Sequence, residues 1–301
     1  MTLSDPEIRL RCTEAALRLT ERYVGKDPPF PVDPLLQHYA IHTLSERVFE
    51  HDARLYVDAG RLAIEVNSAF PRVRQRLSIA HEIAHLIVRE CIGEGSTDHR
   101  DPLKESFCNE LAGVLLAPDW AVRPHFENAA GLGEWQQRIR CSTLLAAAGA
   151  FDVSVDVMAR RVLHDLRMAP QMVAVVWRHR ENTGVRDSSK ALRASSVWHS
   201  FGNRFFVPLN KTASAESVIS KAYDHDGVFV REEDIRLGSL KGRLPVEAMG
   251  FHWFPLSQGS RPARGVLSMV KVPVSPTAEP GIGGSAYPNR LQPPDVPPPS
   301  I

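Results

Sequence analysis

Between residues 7 and 24 apolar side chains return at helical intervals among charged ones: Ile8, Leu10, Ala15, Leu17, Leu19 and Val24. Ser4 and Asp5 are available as caps and Pro6 suits a first turn, so the pattern predicts an amphipathic opening helix. After a breaker run over 26–34, apolar spacing resumes in a short helix around 35–39. From 54 to 67 the period drops to two, with Leu55 and Val57, then Asp58-Ala59-Gly60, then Leu62, Ile64 and Val66, which predicts a β-hairpin. The stretch 62–67 reads as an edge strand, either one to which an extended peptide could add or, with equal weight, an ordinary core strand. Residues 74–89 contain neither Gly nor Pro and place Leu77, Ala80, Ala84 and Val88 at helical spacing, predicting a helix.

A loop composition follows over 91–101, and Pro102 opens another helix expected to run to Ala117, stopped by Pro118. Helical patterns continue over 134–140, 142–150 and 154–166, the last with Ser154 as N-cap after the Phe151-Asp152-Val153 turn. Beyond Pro170 the grammar turns β-rich, with strands expected over 172–177, 197–201, 204–209, 227–230, 246–254 and 266–272. The last thirty residues hold nine of the 23 prolines and too few apolar residues to pack, which predicts a disordered tail. The expected organisation is α+β: a first domain of helices with a small hairpin over 1–130, a helical unit over 131–168, a β-rich domain of unassigned role over 169–272, and the Pro-rich tail 273–301. Trp177, Trp198, Phe205, Phe206, Phe251, Trp253 and Phe254 supply large apolar anchors for a core in the β-rich region. His199, His225 and His252 lie there without metal-ligand spacing.

Composition narrows the classes. With 301 residues, 43% of them hydrophobic, the chain can bury a sizeable core. No apolar run approaches the roughly 18 residues of a membrane span, and the start Met-Thr-Leu-Ser-Asp-Pro-Glu is not a signal peptide, so a cytoplasmic, membrane-free protein is expected. Cys12, Cys91, Cys108 and Cys141 are irregularly spaced and read as reduced thiols. Lys plus Arg number 36 against 35 Asp plus Glu, so the global charge favours no polyanionic partner.

The strongest chemical signal is Ala80-His81-Glu82-Ile83-Ala84-His85. Positions four apart lie on one helix face, so two imidazoles can meet one Zn²⁺, and catalytic zinc uses three protein ligands with the fourth position left open. Glu82 is the candidate catalytic residue, because a carboxylate beside the first ligand can take a proton from an activated water and return it to the leaving amine. Glu105, on the next predicted helix, is the best third ligand. Asn109, four residues on and so on the same face, can hydrogen-bond an imidazole and fix its tautomer. Cys91, Asp98, His99 and Glu110 are weaker third ligands. His99, His125 and Arg76 stand as alternatives for stabilising the transition state.

Two blocks, Arg76-Leu77-Ser78-Ile79-Ala80-His81-Glu82-Ile83-Ala84-His85 and Glu105-Ser106-Phe107-Cys108-Asn109-Glu110-Leu111-Ala112-Gly113-Val114-Leu115-Leu116-Ala117-Pro118, together resemble the ImmA/IrrE zinc metallopeptidases over roughly residues 8–165. The resemblance implies a zincin-like fold, zinc held by His81, His85 and Glu105, and Glu82 as base. Two positions depart from the family pattern. Arg89 stands where a further histidine is frequent, and Ala117 where methionine is common. The resemblance also implies an intracellular regulatory protease whose protein substrate is a helix-turn-helix transcriptional repressor. The stretch 144–166 is similar to the helix-turn-helix-like unit that follows such peptidase cores. Direct DNA binding is weakly supported, since Arg160 and Arg161 are the only adjacent basic pair there. The competing reading is a non-catalytic regulator, binding protein or DNA, with a structural metal closed by a fourth ligand.

Overall fold

The structure is a computed structural model that describes residues 6–93, 101–128, 139–180, 191–201, 206–238, 240–253 and 263–272. The opening helix α1 (Pro6–Tyr23) buries Ile8, Cys12, Ala16 and Thr20, one residue per turn along a single stripe. The short α2 (Asp33–His38) follows, then three strands: β1 (Thr43–Arg47), β2 (Ala53–Asp58) and β3 (Arg61–Asn67). β2 and β3 form the expected hairpin through the two-residue turn Ala59-Gly60, both at positive φ (46° and 79°), the conformation whose twist suits a tight hairpin.

The sheet order is β1-β3-β2, which corrects one expectation. β3 is the central strand, not an edge, because β1 pairs with it in parallel, Thr43 opposite Ala63 through Arg47 opposite Asn67. β1 escapes notice in the sequence because Thr-Leu-Ser-Glu-Arg lacks apolar alternation. The buried Glu65 on β3 accepts from Arg47 (3.1 Å) and Arg54 (2.8 Å), one from each neighbouring strand, so its desolvated charge is compensated from both sides.

The long helix α3 (Arg72–Ile92) packs on β2 and β3, α4 (Pro102–Leu116) packs on α3, and α1 lies against both helices. The expected stop at Pro118 is brief, since α5 (Asp119–Asn128) begins at the next residue. Proline suits the entry to a helix as well as its exit. The helix expected over 134–140 falls largely outside the described residues. α6 (Cys141–Ala150) and α7 (Val155–Ala159) match the next two patterns, and the Ser154 side chain accepts from Val157 N at 3.2 Å as the expected N-cap. A π-helical turn, Arg160–Asp165, continues α7.

Arg161 in that turn is buried. Its Nε donates to Ala117 O (3.0 Å), its Nη1 to Asp165 (2.9 Å) and its Nη2 to Asp119, tying the end of α4 to the helical unit. Gly113 makes room for it, since a Cβ there would lie 3.2 Å from Arg161 Cδ.

The β-rich region is one antiparallel sheet of five strands, ordered β5-β4-β8-β7-β6: β4 (Met172–Arg180), β5 (Ala191–His199), β6 (Val228–Leu237), β7 (Leu240–Trp253) and β8 (Ala263–Lys271). β5, β6 and β7 start earlier or run further than their apolar cores suggested. The strand expected over 204–209 is not formed at 206–209, the described part of that stretch. A helix that apolar periodicity did not reveal, α8 (Val218–Asp224), caps one face of the sheet; its Val218 N donates to the buried Glu233 at 2.6 Å.

Alternate residues of the sheet serve two cores. Val173, Val175, Trp177, Val246 and Val270 pack under α8, while Ala174, Val176, Leu267 and Met269 join the apolar cluster that contains Ala80, Ile83 and Leu111. Of the expected aromatic anchors, Trp177 is fully buried and donates to Ser268 Oγ at 2.7 Å. Phe206 is exposed, and Phe205, Phe254 and the Trp253 side chain lie outside what is described. The tail 273–301 likewise lies outside the described residues.

His199 is less ordinary than its sequence context implied. It is buried, its Nδ1 accepts from Phe201 N (3.3 Å), and burial, with the charge of His164 adding to it, pulls its pKa from 6.5 down to about 4. The folded state therefore holds the imidazole neutral where the unfolded chain would protonate it. This contribution is fully present above pH 6.5 and is lost as pH falls through about 4. Equilibrium denaturation should show stability dropping by roughly 2–3 kcal/mol across that window, with a clearly shallower drop in His199→Gln.

Candidate metal centre

α3 enters after Pro71 and ends at Gly93, whose positive φ of 90° and N–H to Arg89 O (2.8 Å) close the helix. Ile79, Ala80, Ile83, Ala84 and Ile87 are buried, leaving His81, Glu82 and His85 half-buried on the cleft side. α4 is started by Asp101, whose carboxylate accepts from Leu103 N (2.9 Å), with Pro102 in its first turn. Glu105 stands one turn in, facing the two histidines.

The three side chains converge. His81 Nε2 lies 3.0 Å from His85 Nε2, Glu105 Oε2 lies 3.2 Å from His81 Nε2, and Glu105 Oε1 lies 3.4 Å from His85 Nε2. Four donors placed tetrahedrally at about 2.05 Å from a zinc ion would be about 3.3 Å apart, and the two imidazole nitrogens, with one Glu105 oxygen beside each, are spaced on that scale. Donor chemistry agrees, with two imidazole nitrogens and one carboxylate oxygen. Among the described residues this trio is the one group of His, Cys, Asp or Glu side chains arranged to hold a metal. The hydrogen bond with His81, then the nearby His85, holds the Glu105 carboxyl below its ordinary range, against the opposing effect of burial.

Asn109, one turn beyond Glu105, places Oδ1 3.0 Å from His81 Nδ1. An amide oxygen can only accept, so the proton sits on Nδ1 and the Nε2 lone pair faces the centre. His85 Nδ1 lies 3.4 Å from the sulfur of Cys108, a neighbour that spacing alone did not reveal. Burial pushes the Cys108 thiol well up, so this sulfur is a thiol and not a thiolate. Glu82 Oε2 accepts from Leu55 N at 3.3 Å, which puts the carboxylate against the free edge of β2. The surrounding cleft has a volume of about 300 Å³ and is lined in part by His51, Asp52, Leu77 and Ser78.

Other sequence candidates fall elsewhere. Cys91 interacts with Cys12, away from the trio, and Glu110 is paired with Arg9 (2.7 Å) and Arg160 (3.2 Å) on another face of α4. Asp98 and His99 lie outside the described residues. Arg76 is buried, bound to Phe30 O (2.9 Å) and to Asp152 (3.3 Å), and His125 packs on Phe151. Neither lines the cleft, whereas His51 does.

Residues 37–163 match the family model described as the IrrE N-terminal-like domain. Over this stretch the chain is similar to that family. The family is one of peptidases, in agreement with the resemblance carried by the two sequence blocks. No curated protein matches the chain. A solved Mycobacterium tuberculosis transcriptional regulator covers 88% of this chain, with 80% of its own length matched, at a TM-score of 0.52 and 12% identity. At that identity the likeness is one of fold. Among the described residues no single helix is long and apolar enough to cross a membrane.

Metal analysis of the purified protein should find one zinc per chain. His81→Ala and Glu105→Ala should lose it and Glu82→Gln should keep it. Asn109→Ala should bind zinc about 10- to 100-fold more weakly, as loss of an outer hydrogen bond to a ligand imidazole does. Full zinc retention in Glu105→Ala would remove that residue from the ligand set.

Proposed function

We propose that the protein is a zinc-dependent endopeptidase of regulatory type, hydrolysing a peptide bond in another protein in the cytoplasm. The observation that carries this reading is the convergence of His81, His85 and Glu105 beside Glu82 in an open cleft. No fourth protein ligand joins the trio among the described residues, which favours an open catalytic site over a closed structural one.

A zinc ion held by the trio would polarise the scissile carbonyl and activate water. Glu82 takes the proton from the attacking water and delivers it to the leaving nitrogen as the C–N bond breaks. Asn109 keeps His81 in the tautomer that presents Nε2. The outer edge of β2, next to Glu82, receives an extended stretch of substrate by strand addition, with main-chain hydrogen bonds setting its register.

The same reading assigns residues 1–130 to a zincin-like peptidase domain, 131–168 to a helix-turn-helix-like unit and 169–272 to a β-rich domain. The substrate is a helix-turn-helix transcriptional repressor, as the family resemblance implies. The helical unit serves as scaffold, because Arg160 and Arg161 are engaged with Glu110, Asp119 and Asp165 inside the protein and are not presented to phosphates.

Expressing wild type and Glu82→Gln in the same host and comparing newly formed protein N-termini tests this directly. A discrete set of cleavages should appear with wild type, mapping to a repressor. It should fall by a factor of 10² or more in Glu82→Gln although that variant keeps its zinc. The same cleavages at the same level in both would reject the peptidase reading.

A further inference from the structure

The loop over residues 48–52 joins β1 to β2 and reaches the rim of the metal cleft, where His51 forms part of the wall. Connecting loops are ordinarily the loosest parts of a fold. This one is fastened on both sides of His51. Asn67 at the end of β3 donates through Nδ2 to Phe49 O and to His51 O (3.1 Å), and through its backbone N to Asp52 O (2.9 Å). Arg74 in the first turn of α3 forks onto the Asp52 carboxylate, Nε to Oδ2 and Nη2 to Oδ1, both at 2.8 Å. Its guanidinium in turn lies 4.2 Å over the Phe70 ring. A bidentate arginine–carboxylate pair fixes orientation as well as distance. The helix that carries His81 and Glu82 therefore also sets the position of the loop that carries His51.

Little of this is needed to connect two strands, and its effect is to hold one exposed imidazole on the wall of the cleft that His81, Glu82 and Glu105 also line. Apart from the Asn109 amide nitrogen, the remaining polar side chains of the cleft wall are committed. Ser78 Oγ donates to Arg74 O (2.9 Å), Asp52 receives Arg74, and Asn109 Oδ1 faces His81 Nδ1. Glu82 and Glu105 are acceptors when ionised. The His51 ring nitrogens have no hydrogen-bond partner among the described residues.

Peptide hydrolysis is accelerated by a donor at the scissile carbonyl. As the bond from water oxygen to the carbonyl carbon forms, the carbonyl π pair moves onto oxygen, which becomes negative. A preorganised N–H aimed at that oxygen typically accelerates such reactions by 10²–10³. We propose that His51 is a further catalytic residue, its imidazole N–H donating to the carbonyl oxygen of the scissile bond while that oxygen carries negative charge. The proton stays on His51 throughout: the proton of water goes to Glu82 and from there to the leaving nitrogen as the C–N bond breaks and the carbonyl re-forms. This inference rests on the metallopeptidase reading and adds the transition-state donor to it.

Cobalt-loaded wild type, His51→Ala and His51→Gln, titrated with inorganic phosphate and followed by visible absorption, separate the two claims, phosphate standing in for the tetrahedral oxyanion. All three should bind one cobalt with the same spectrum before phosphate is added. Phosphate should bind His51→Ala about tenfold or more weakly than wild type, and His51→Gln, whose amide also donates, at an intermediate strength. Equal phosphate affinity in wild type and His51→Ala, with cobalt retained, would overturn the role of His51 and leave the peptidase reading standing. Loss of cobalt in His51→Ala would overturn it too, by making His51 part of the metal's support. If wild type takes up no cobalt, the metallopeptidase reading fails, and the role of His51 falls with it.

Discussion

The cleft depends on α3 and α4 lying close enough for a carboxylate on one to reach imidazoles on the other, at 3.2 and 3.4 Å. Helices that pack through ordinary side chains keep their axes about 8–10 Å apart, and small buried residues bring them to the near end of that range. Ala80 and Ala84 on α3, with Cys108 and Ala112 on α4, are such residues, each wholly buried. The helical period then does the rest. His81 and His85 share a face because they are one turn apart, and so do Glu105 and Asn109. With both helices in place, ligands and the acceptor that orients one of them meet without any long loop, and a site on rigid elements keeps its geometry better than one on loops.

That dependence explains why the ligand set could be read from the sequence at all. A periodicity of 3.6 is local, so the face carrying His81 and His85 and the face carrying Glu105 and Asn109 were each visible in a few residues. What remained was to bring two faces together. The β2–β3 hairpin was legible for the same reason, its turn and its alternation falling in one short window. β1 was not. Its residues are mostly polar, and its strand conformation is imposed by parallel pairing with β3, across the whole hairpin in sequence. Misjudging β3 as an edge follows from missing β1, since an edge is defined by a partner's absence and partners are a long-range property.

The cleft's less obvious members were hidden for related reasons. Cys108 is one more apolar-like position on α4 until the His85 ring is seen beside it. His51 has no spacing relation to His81 or Glu105; it reaches the cleft because β1 and β3 pair and because Arg74 binds Asp52, two contacts between segments far apart in sequence. His99, His125 and Arg76 were named in sequence as transition-state donors by residue type alone; packing commits His125 and Arg76 elsewhere, and His99 lies outside the described residues.

The helical unit and the five-stranded sheet bear on the cleft through packing. Arg161 exposes 2% of its surface while contacting two carboxylates and the last carbonyl of α4's cap. Pulling such a side chain out to meet a nucleic-acid phosphate would take the nearest cation from the buried Asp165 carboxylate, and breaking a buried pair typically costs about 3–5 kcal/mol. One exposed phosphate contact returns less than that, so the adjacent arginines are better explained as the clasp between α4 and the π-helical turn. The first residue of α6 is fastened to the sheet in turn, Cys141 N donating to Glu247 of β7 at 2.8 Å, and residues of β4 and β8 share an apolar cluster with α3 and α4. The sheet therefore packs on the helical unit, through α6 and the π-helical turn, and its inner face continues the apolar cluster that reaches the cleft helices.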